Sequence, residues 1–475
     1  MTVELIGVIA LAVGFASLFL GPAFITYMLL SFSLLGAAAA FVLEAVGGTN
    51  ISPGHLLLGF LCIKLLTSGE ISRGALQGLL IGRPGFWLLL SLIYALISAY
   101  AMPRLFFGQT YVFLVRGFDH HSVLLAPTMS NVTQSIYLTA DFICFIVLYG
   151  YATTRAGRRV MSNAAFACVI LNLIFGGLDL LTYFTGTSEL LAFIRNANYA
   201  MLNDTEIAGF KRIVGSFSEA ASYAYATIGY FGFSIRLWLL GVRVRLSGVT
   251  ALLCLLALIF STSTTAYVGL GVLLTLLYLQ IIFYGLRRNK FTPQMLFFLV
   301  GAPILFLIVV LCITLNDASA AYMKDLLDTL IFNKMETESG LERSSWNSQA
   351  LQNFIDTFGF GVGNGSVRTS SFPFTVLASF GIIGSLLLGT FMASVLLRRN
   401  GAGSDPLDDA YRQAARTACI AWLVSASTSG ALVDLGLPFF AFASLASSRP
   451  LAAFVSSRRA LLNSGLRNKR RPVPA

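Results

Sequence analysis

Long apolar runs separated by short polar turns recur along the whole chain, and their length decides the first reading. An α-helix of about 20 apolar residues crosses a bilayer, and lipid requires every backbone group to be paired within the protein. The runs predict thirteen spans, at roughly 3–20, 22–43, 51–67, 85–106, 131–151, 160–184, 221–241, 246–263, 265–284, 295–315, 372–397, 417–433 and 435–455. The last pair, around Asp434 to Pro438, can alternatively form a re-entrant hairpin. Barrel strands would alternate in polarity, and these runs do not. The expectation is an all-α polytopic membrane protein of about 12–14 transmembrane helices, residues 1–475 forming one transmembrane helical domain. Gly21-Pro22 reads as a tight turn into the second helix. Met1 to Leu20 lacks a basic leading region and a clear cleavage site, so it reads as a retained first helix.

Polar sequence collects late. Residues 316–371 form the largest polar segment, long for a connection and of a length that usually carries function. Within it, Ala320 to Met335 is amphipathic, as for a helix on a membrane surface. Leu341 to Thr357 reads as a second short amphipathic helix, with Arg343, Trp346, Ala350 and Phe354 on one face. Ser339 and Glu342 have the spacing of a capping box. A glycine cluster follows at Gly359, Gly361, Gly363 and Gly365, and then an apolar span. The cluster is neither a Walker loop, since no GK[ST] follows, nor a dinucleotide fingerprint, since no strand precedes it. It suits close packing on neighbouring helices, and its N–H groups can also face an anion.

Charge orients the bundle. Only 11% of residues are charged against 56% hydrophobic, far below the about 25% charged of soluble domains. Of the 32 Lys and Arg, 18 fall in five places: Arg155, Arg158 and Arg159; Arg243 and Arg245; Arg287, Arg288 and Lys290; Arg398, Arg399, Arg412 and Arg416; and the tail from Arg458 to Arg471. The positive-inside rule makes these cytoplasmic, with the N-terminus outside, the C-terminus inside and 316–371 outside. A nucleic-acid partner is not expected, because no soluble basic domain exists to carry one. The six cysteines lie in apolar runs without CxxC spacing and read as small hydrophobes. The three histidines, His55, His120 and His121, lack metal-ligand spacing and read as surface residues. Asp141 and Asp179 lie in or near spans and can mark a polar cavity.

Arg343 is the sharpest candidate for chemistry. Its planar fork binds phosphate bidentately, which suits the pyrophosphate of a lipid-linked donor; the alternative is a salt bridge to Glu338 or Glu342, or contact with headgroups. Arg212 opens a second pattern that runs to Tyr223, at the outer end of the seventh span. There Glu219 either completes a capping box with Ser216 or stands at a cavity mouth as a general base.

Arg212 to Phe217 with Glu219, then Arg343-Ser-Ser-Trp346, then Phe358-Gly-Phe-Gly-Val-Gly363, then Phe380-Gly-Ile-Ile-Gly384, resemble in order and layout the O-antigen polymerase and ligase superfamily (Wzy/WaaL-like). Ile51-Ser-Pro53, opening the third span, is similar as well. Ligases of that group carry a His after the glycine turn, where this chain reads Arg368-Thr-Ser-Ser-Phe-Pro, so the resemblance leans towards a polymerase. The Arg343–Trp346 spacing is one residue shorter than the family's R-x-x-x-W. The resemblance implies a glycosyltransferase of the bacterial inner membrane, working on the periplasmic side. It would pass a growing glycan from undecaprenyl pyrophosphate to a second lipid-linked repeat unit, with membrane lipid and a chain-length regulator as further partners. It implies Glu219 and Arg343 as catalytic, Arg212, Arg195, Arg368, Trp346, Gly361 and Gly363 as substrate-binding, and no metal or cofactor. An O-antigen ligase, a precursor transporter or flippase, and a structural assembly partner are the alternatives; a transporter would require symmetry between two halves.

Overall fold

The computed structural model describes residues 2–43, 49–115, 121–199, 201–207, 209–288, 291–317, 337–397 and 405–449, with a few positions of 320–328. Most of the amphipathic segment Ala320 to Met335, together with His120 and the basic tail, lies outside the described residues.

The described chain is mainly helical, in agreement with a multi-pass membrane protein. In order come α1 (Leu5–Leu20), α2 (Pro22–Phe32), α3 (Pro53–Leu66), α4 (Gly69–Gly78), α5 (Pro84–Leu105), α6 (Met129–Ala152) and α7 (Arg155–Phe184). Then follow α8 (Ala220–Leu239), α9 (Val244–Phe260), α10 (Thr264–Arg288) and α11 (Pro293–Thr314). The last four are α12 (Glu338–Asp356), α13 (Phe372–Leu396), α14 (Pro406–Ser429) and α15 (Leu437–Ser447). Short antiparallel strands decorate the helices: Thr2–Val3 with Phe41–Leu43 and Thr49–Ile51, Tyr111–Val112 with Val123–Leu124, and Glu206–Ile207 with Phe210–Lys211.

Fewer of the described helices are long and apolar enough to cross a membrane than the apolar runs predict. Among the described residues six are long and apolar enough, α5, α6, α7, α10, α11 and α13, and α3 with α4, bent by 112°, is either a broken seventh span or a re-entrant loop. Four differences account for most of the gap. The run 22–43 stops being helical at Phe32. Its remaining backbone groups find partners outside a helix: Asn196 Nδ2 and Oδ1 pair with Ala39 O and N at 3.2 and 2.9 Å, and Ala37 N donates to Ser216 O at 3.0 Å. The run 417–433 begins earlier, at Pro406, as the amphipathic α14. The run 435–455 gives only the 11-residue α15 within the described residues. Finally, α8 is 20 residues long but falls short on apolar composition; most of its side chains are buried in protein, and a Cβ on Gly229 would stand 2.0 Å from the Trp422 ring of α14. Small residues let two helices approach this closely where lipid gives no hydrophobic drive.

The basic turns gather at one end. Arg158 Nε meets Asp408 Oδ2 at 2.6 Å, Arg243 donates to Asn163 Oδ1 at 2.7 Å, and Arg236 to Gln413 Oε1 at 2.8 Å. These contacts tie the α6–α7 turn, the α8–α9 turn and the start of α14 together. Lys64, inside α3, donates to Leu18 O of α1 at 2.5 Å and so needs no acidic partner. The described parts of 106–128 and 185–219, together with 357–371, collect at the opposite end, where α8 begins with Glu219 as its N-cap.

Candidate functional site

Asp179, near the end of α7, organises the segment that carries Arg212. Its side chain is 2% exposed. Oδ2 accepts the Val214 and Gly215 N–H groups at 2.7 and 3.2 Å, Oδ1 accepts Arg195 Nη2 at 2.7 Å, and Lys211 Nζ stands 3.6 Å away. Arg195 Nε also donates to Gly215 O at 3.0 Å. Both sides of Gly215 are thereby held, in a left-handed conformation (φ +60°) that packs against Tyr223. Arg195 is consequently not poised over a cavity as a substrate ligand. It neutralises a buried carboxylate and fixes the loop three residues after Arg212.

The Ser216–Glu219 capping box does not form. Ser216 Oγ is buried and donates to Leu34 O at 2.7 Å, while Glu219 is itself the N-cap residue of α8 and its side chain makes no cap hydrogen bond. Glu219 Oε1 accepts from Ser222 Oγ at 3.4 Å and remains half-buried. This leaves its carboxylate in electrostatic reach of Arg212.

Arg212 follows the 206–211 hairpin, its N–H donating to Thr205 O at 3.1 Å. Its Nε is buried with no hydrogen-bond partner among the described residues. Burial lowers the proton affinity of this guanidinium, and the charge of Arg343 lowers it further, while Glu219 and Tyr267 act in the opposite direction. Arg343, 131 positions further along the sequence, is thus within electrostatic reach of Arg212.

The helix that carries Arg343 begins one turn earlier than the sequence pattern predicts. Its cap is Thr337, whose Oγ1 accepts the Gly340 N–H at 3.3 Å, rather than a Ser339–Glu342 box. The stripe of Arg343, Trp346, Ala350 and Phe354 includes one fully buried residue, Ala350, and continues through buried Asn353 and Thr357. Asn353 Nδ2 donates to Thr110 Oγ1 at 2.9 Å and to Tyr111 O at 2.5 Å, seating α12 on the 111–124 hairpin. Ser370 Oγ donates to Arg343 O at 3.3 Å, and Ser370 N to Asn347 Oδ1 at 3.1 Å. Arg368 is laid over Trp346, its guanidinium carbon 4.4 Å from the ring centroid, with its own N–H on Phe113 O at 2.8 Å. Trp346 therefore orients a third arginine one helical turn from Arg343.

Gly361 and Gly363 act as packing residues. Gly361 N donates to Thr357 Oγ1 at 3.0 Å and Gly363 N to Ser379 O at 3.0 Å, so neither N–H is left for an anion. Val362 N donates to Ala378 O and Ile382 N to Gly359 O, both at 2.8 Å. The turn thus pairs with α13 where that helix breaks, at Gly381 (φ 58°, ψ −157°). A Cβ at Gly381 would lie 2.1 Å from Gly359 O, and one at Gly363 2.5 Å from Ser98 O.

Asp179, Asn131 and Asn353 support the site without having been singled out for it by the sequence. Asn131 Nδ2 holds Asn364 O at 2.7 Å and Ser366 Oγ at 2.8 Å, locking the loop that ends in Arg368. For Asn353 a signal existed: it lies seven residues after Trp346, on the same helical face. Among the described residues no group of three or more His, Cys, Asp or Glu is placed to hold a metal ion. Comparison with protein-family models, curated proteins and solved structures yields no match.

Proposed function

We propose that this protein is a membrane glycosyltransferase that polymerises lipid-linked oligosaccharides at the outer face of a bacterial inner membrane. The observation that carries this reading is the buried Arg212 guanidinium, whose Nε has no partner among the described residues and on which the charges of Glu219 and Arg343 both act. Neither arginine has an ion-pair partner within 4 Å among the described residues. Two cations and one carboxylate leave a net positive charge in a half-buried place, which an anionic group would neutralise. The donor is a glycan on undecaprenyl pyrophosphate and the acceptor a hydroxyl of a second lipid-linked repeat unit.

In this reaction the acceptor oxygen loses its proton to the Glu219 carboxylate and attacks the anomeric carbon of the donor. The bond from that carbon to the pyrophosphate oxygen breaks, and the departing pyrophosphate takes up the electron pair. Arg212 and Arg343 stabilise that growing charge, each charge-assisted hydrogen bond contributing about 1.5–3 kcal/mol. Arg368, oriented by Trp346, extends the positive field beside them. Rigid placement of these groups by α8, α12 and the Asp179 anchor supplies orientation, the other large contribution.

The decisive experiment mixes purified protein in detergent with lipid-linked repeat units and reads glycan length on a gel. A ladder of longer lipid-linked glycans is the expected result. Transfer to lipid A core with no ladder would assign a ligase instead, and no covalent change with movement of the lipid between leaflets of a vesicle would assign a flippase.

A further inference from the structure

Three helix ends meet around one cavity, which also borders Phe217 of the segment between Arg212 and Glu219. There α2 stops at Phe32, α3 starts after Ser52, and α15 starts at Leu437. Irregular backbone at membrane depth persists only when it is buried in protein or lines a cavity. It lines one here: a cavity of about 270 Å³ bordered by Ser33, Gly36, Ser52, His55, Asp434 and Gly436. A second cavity, of about 590 Å³, lies between α3, α5 and α6. His55 is the one residue that borders both.

Asp141 stands behind His55 and Asp434, about 18 Å along α6 from its first residue at 1.5 Å per residue. It is wholly buried, and neither oxygen has an N–H or O–H donor among the described residues. Its polar neighbour is the carboxyl of Asp434, within hydrogen-bond reach, and no Lys or Arg acts on it. Two ionised carboxylates are acceptors only, so such a contact forms when one of them holds a proton. Like charges this close in a medium of low dielectric constant share one proton rather than both ionise. Asp434 Oδ1 also accepts the Gly436 N–H at 2.6 Å, so that oxygen is committed to the backbone.

His55 completes the group. Its Nδ1 is 2.7 Å from Ser52 Oγ, its Nε2 is buried with no partner among the described residues, and its ring packs on Tyr137 at 5.1 Å. The charge of Asp434 reaches it. The other titratable groups facing the cluster are Tyr137, Tyr225, Cys62, Cys144 and Cys419. The two tyrosine hydroxyls are committed to carbonyls, Tyr137 to Asn50 O at 2.6 Å and Tyr225 to Leu435 O at 2.9 Å. The cluster is not among any set arranged to hold a metal ion.

We propose that Asp141, Asp434 and His55 form a proton-binding site inside the bundle, independent of the glycan reading. The carboxyl pair holds one proton, and His55 exchanges it with water in the two cavities that it borders. In the exchange the Asp141 O–H bond breaks, the proton passes by way of Asp434 and a water of the cavity that Asp434 and His55 both border to His55 Nε2, and the imidazolium releases it to a second cavity water; a returning proton restores the acid.

Infrared spectroscopy of the full chain in detergent tests this. At pH 7 an ordinary Asp carboxyl, with a pKa of about 3.9, is ionised and has no acid carbonyl band. The wild-type protein is expected to show that band, Asp141→Asn to lose it and Asp434→Asn to shift its frequency, each keeping the helical amide signal. Transfer to D2O is expected to shift the wild-type band promptly and the band of His55→Gln at least tenfold more slowly. Absence of the band in the wild type, its survival in Asp141→Asn, or its unshifted survival in Asp434→Asn, overturns the proposal. Its loss on raising sodium at fixed pH would replace the proton by a monovalent cation, and equal exchange in His55→Gln would remove His55 from the path.

Discussion

Arg195 Nη2 lies 2.7 Å from Asp179 Oδ1, and both side chains are under 5% exposed. The pair closes a ring through Gly215 and so fixes a loop whose other end is Arg212. Removing one partner of a buried ion pair typically costs about 3–5 kcal/mol, because the other charge stays buried and unpaired. Asp179→Ala is therefore expected to lower the unfolding temperature in detergent and to abolish polymer. Arg195→Met with Asp179→Leu, which removes both charges, is expected to recover most of the stability. Equal stability of Asp179→Ala and wild type would dissolve the anchor.

Arg343 is separable from folding. Its main-chain O is held by Ser370, while the charge of its side chain acts on Arg212. Lysine keeps the charge but loses the planar fork. Arg343→Lys should leave membrane abundance normal and remove most polymer, measured by glycan length in cells. A surface salt bridge, worth about 0–1 kcal/mol, would tolerate the change, and near-normal polymer would remove Arg343 from the site.

Glu219 is free of the capping role that the sequence offers it, since Ser216 bonds elsewhere. Glu219→Gln keeps size and hydrogen bonding but cannot accept a proton. Turnover is expected to fall by roughly two to four orders of magnitude, the scale of general acid–base catalysis. The check is single-step transfer between lipid-linked units, and a loss below about threefold is too small for a general base.

Gly381 tests the break in α13. Its positive φ and a Cβ position 2.1 Å from Gly359 O leave no room for a side chain. Overpacking costs about 1–3 kcal/mol before backbone strain is added. Gly381→Ala is expected to lower thermal stability, whereas Gly389→Ala, where a Cβ meets nothing within 4 Å, is expected to be neutral or stabilising. Equal melting temperatures for the two variants would contradict the packing of the glycine turn.

Sidedness is testable with single cysteines. Ser348 and Arg245 are exposed at opposite ends of the bundle. In a background with Cys312, the exposed native thiol, replaced, Ser348→Cys is expected to react with an impermeant maleimide from outside the cell. Arg245→Cys is expected to react only after the membrane is opened. Labelling of both from one side would refute the proposed outer site.

The sequence by itself determined that this is a membrane-embedded helical chain with its basic turns on one end, because apolar length and the position of Arg and Lys are local properties. It also marked Arg212, Glu219 and Arg343, whose residue types are unusual beside apolar runs. Only the tertiary structure decided which marked residues meet. Arg195 is drawn to Asp179 because a buried carboxylate must be neutralised, and nothing local to either residue says so. Gly361 and Gly363 spend their N–H groups on Thr357 and Ser379, a partnership set by the break at Gly381. The count of spans differed for the same reason. An apolar run shows that a segment leaves water, whereas whether its sides stay open, as on α5, or are wrapped by protein, as on α8, depends on what its neighbours bury. His55, Asp141 and Asp434 are scattered in sequence and ordinary one by one, and they become a site only where three helix ends converge.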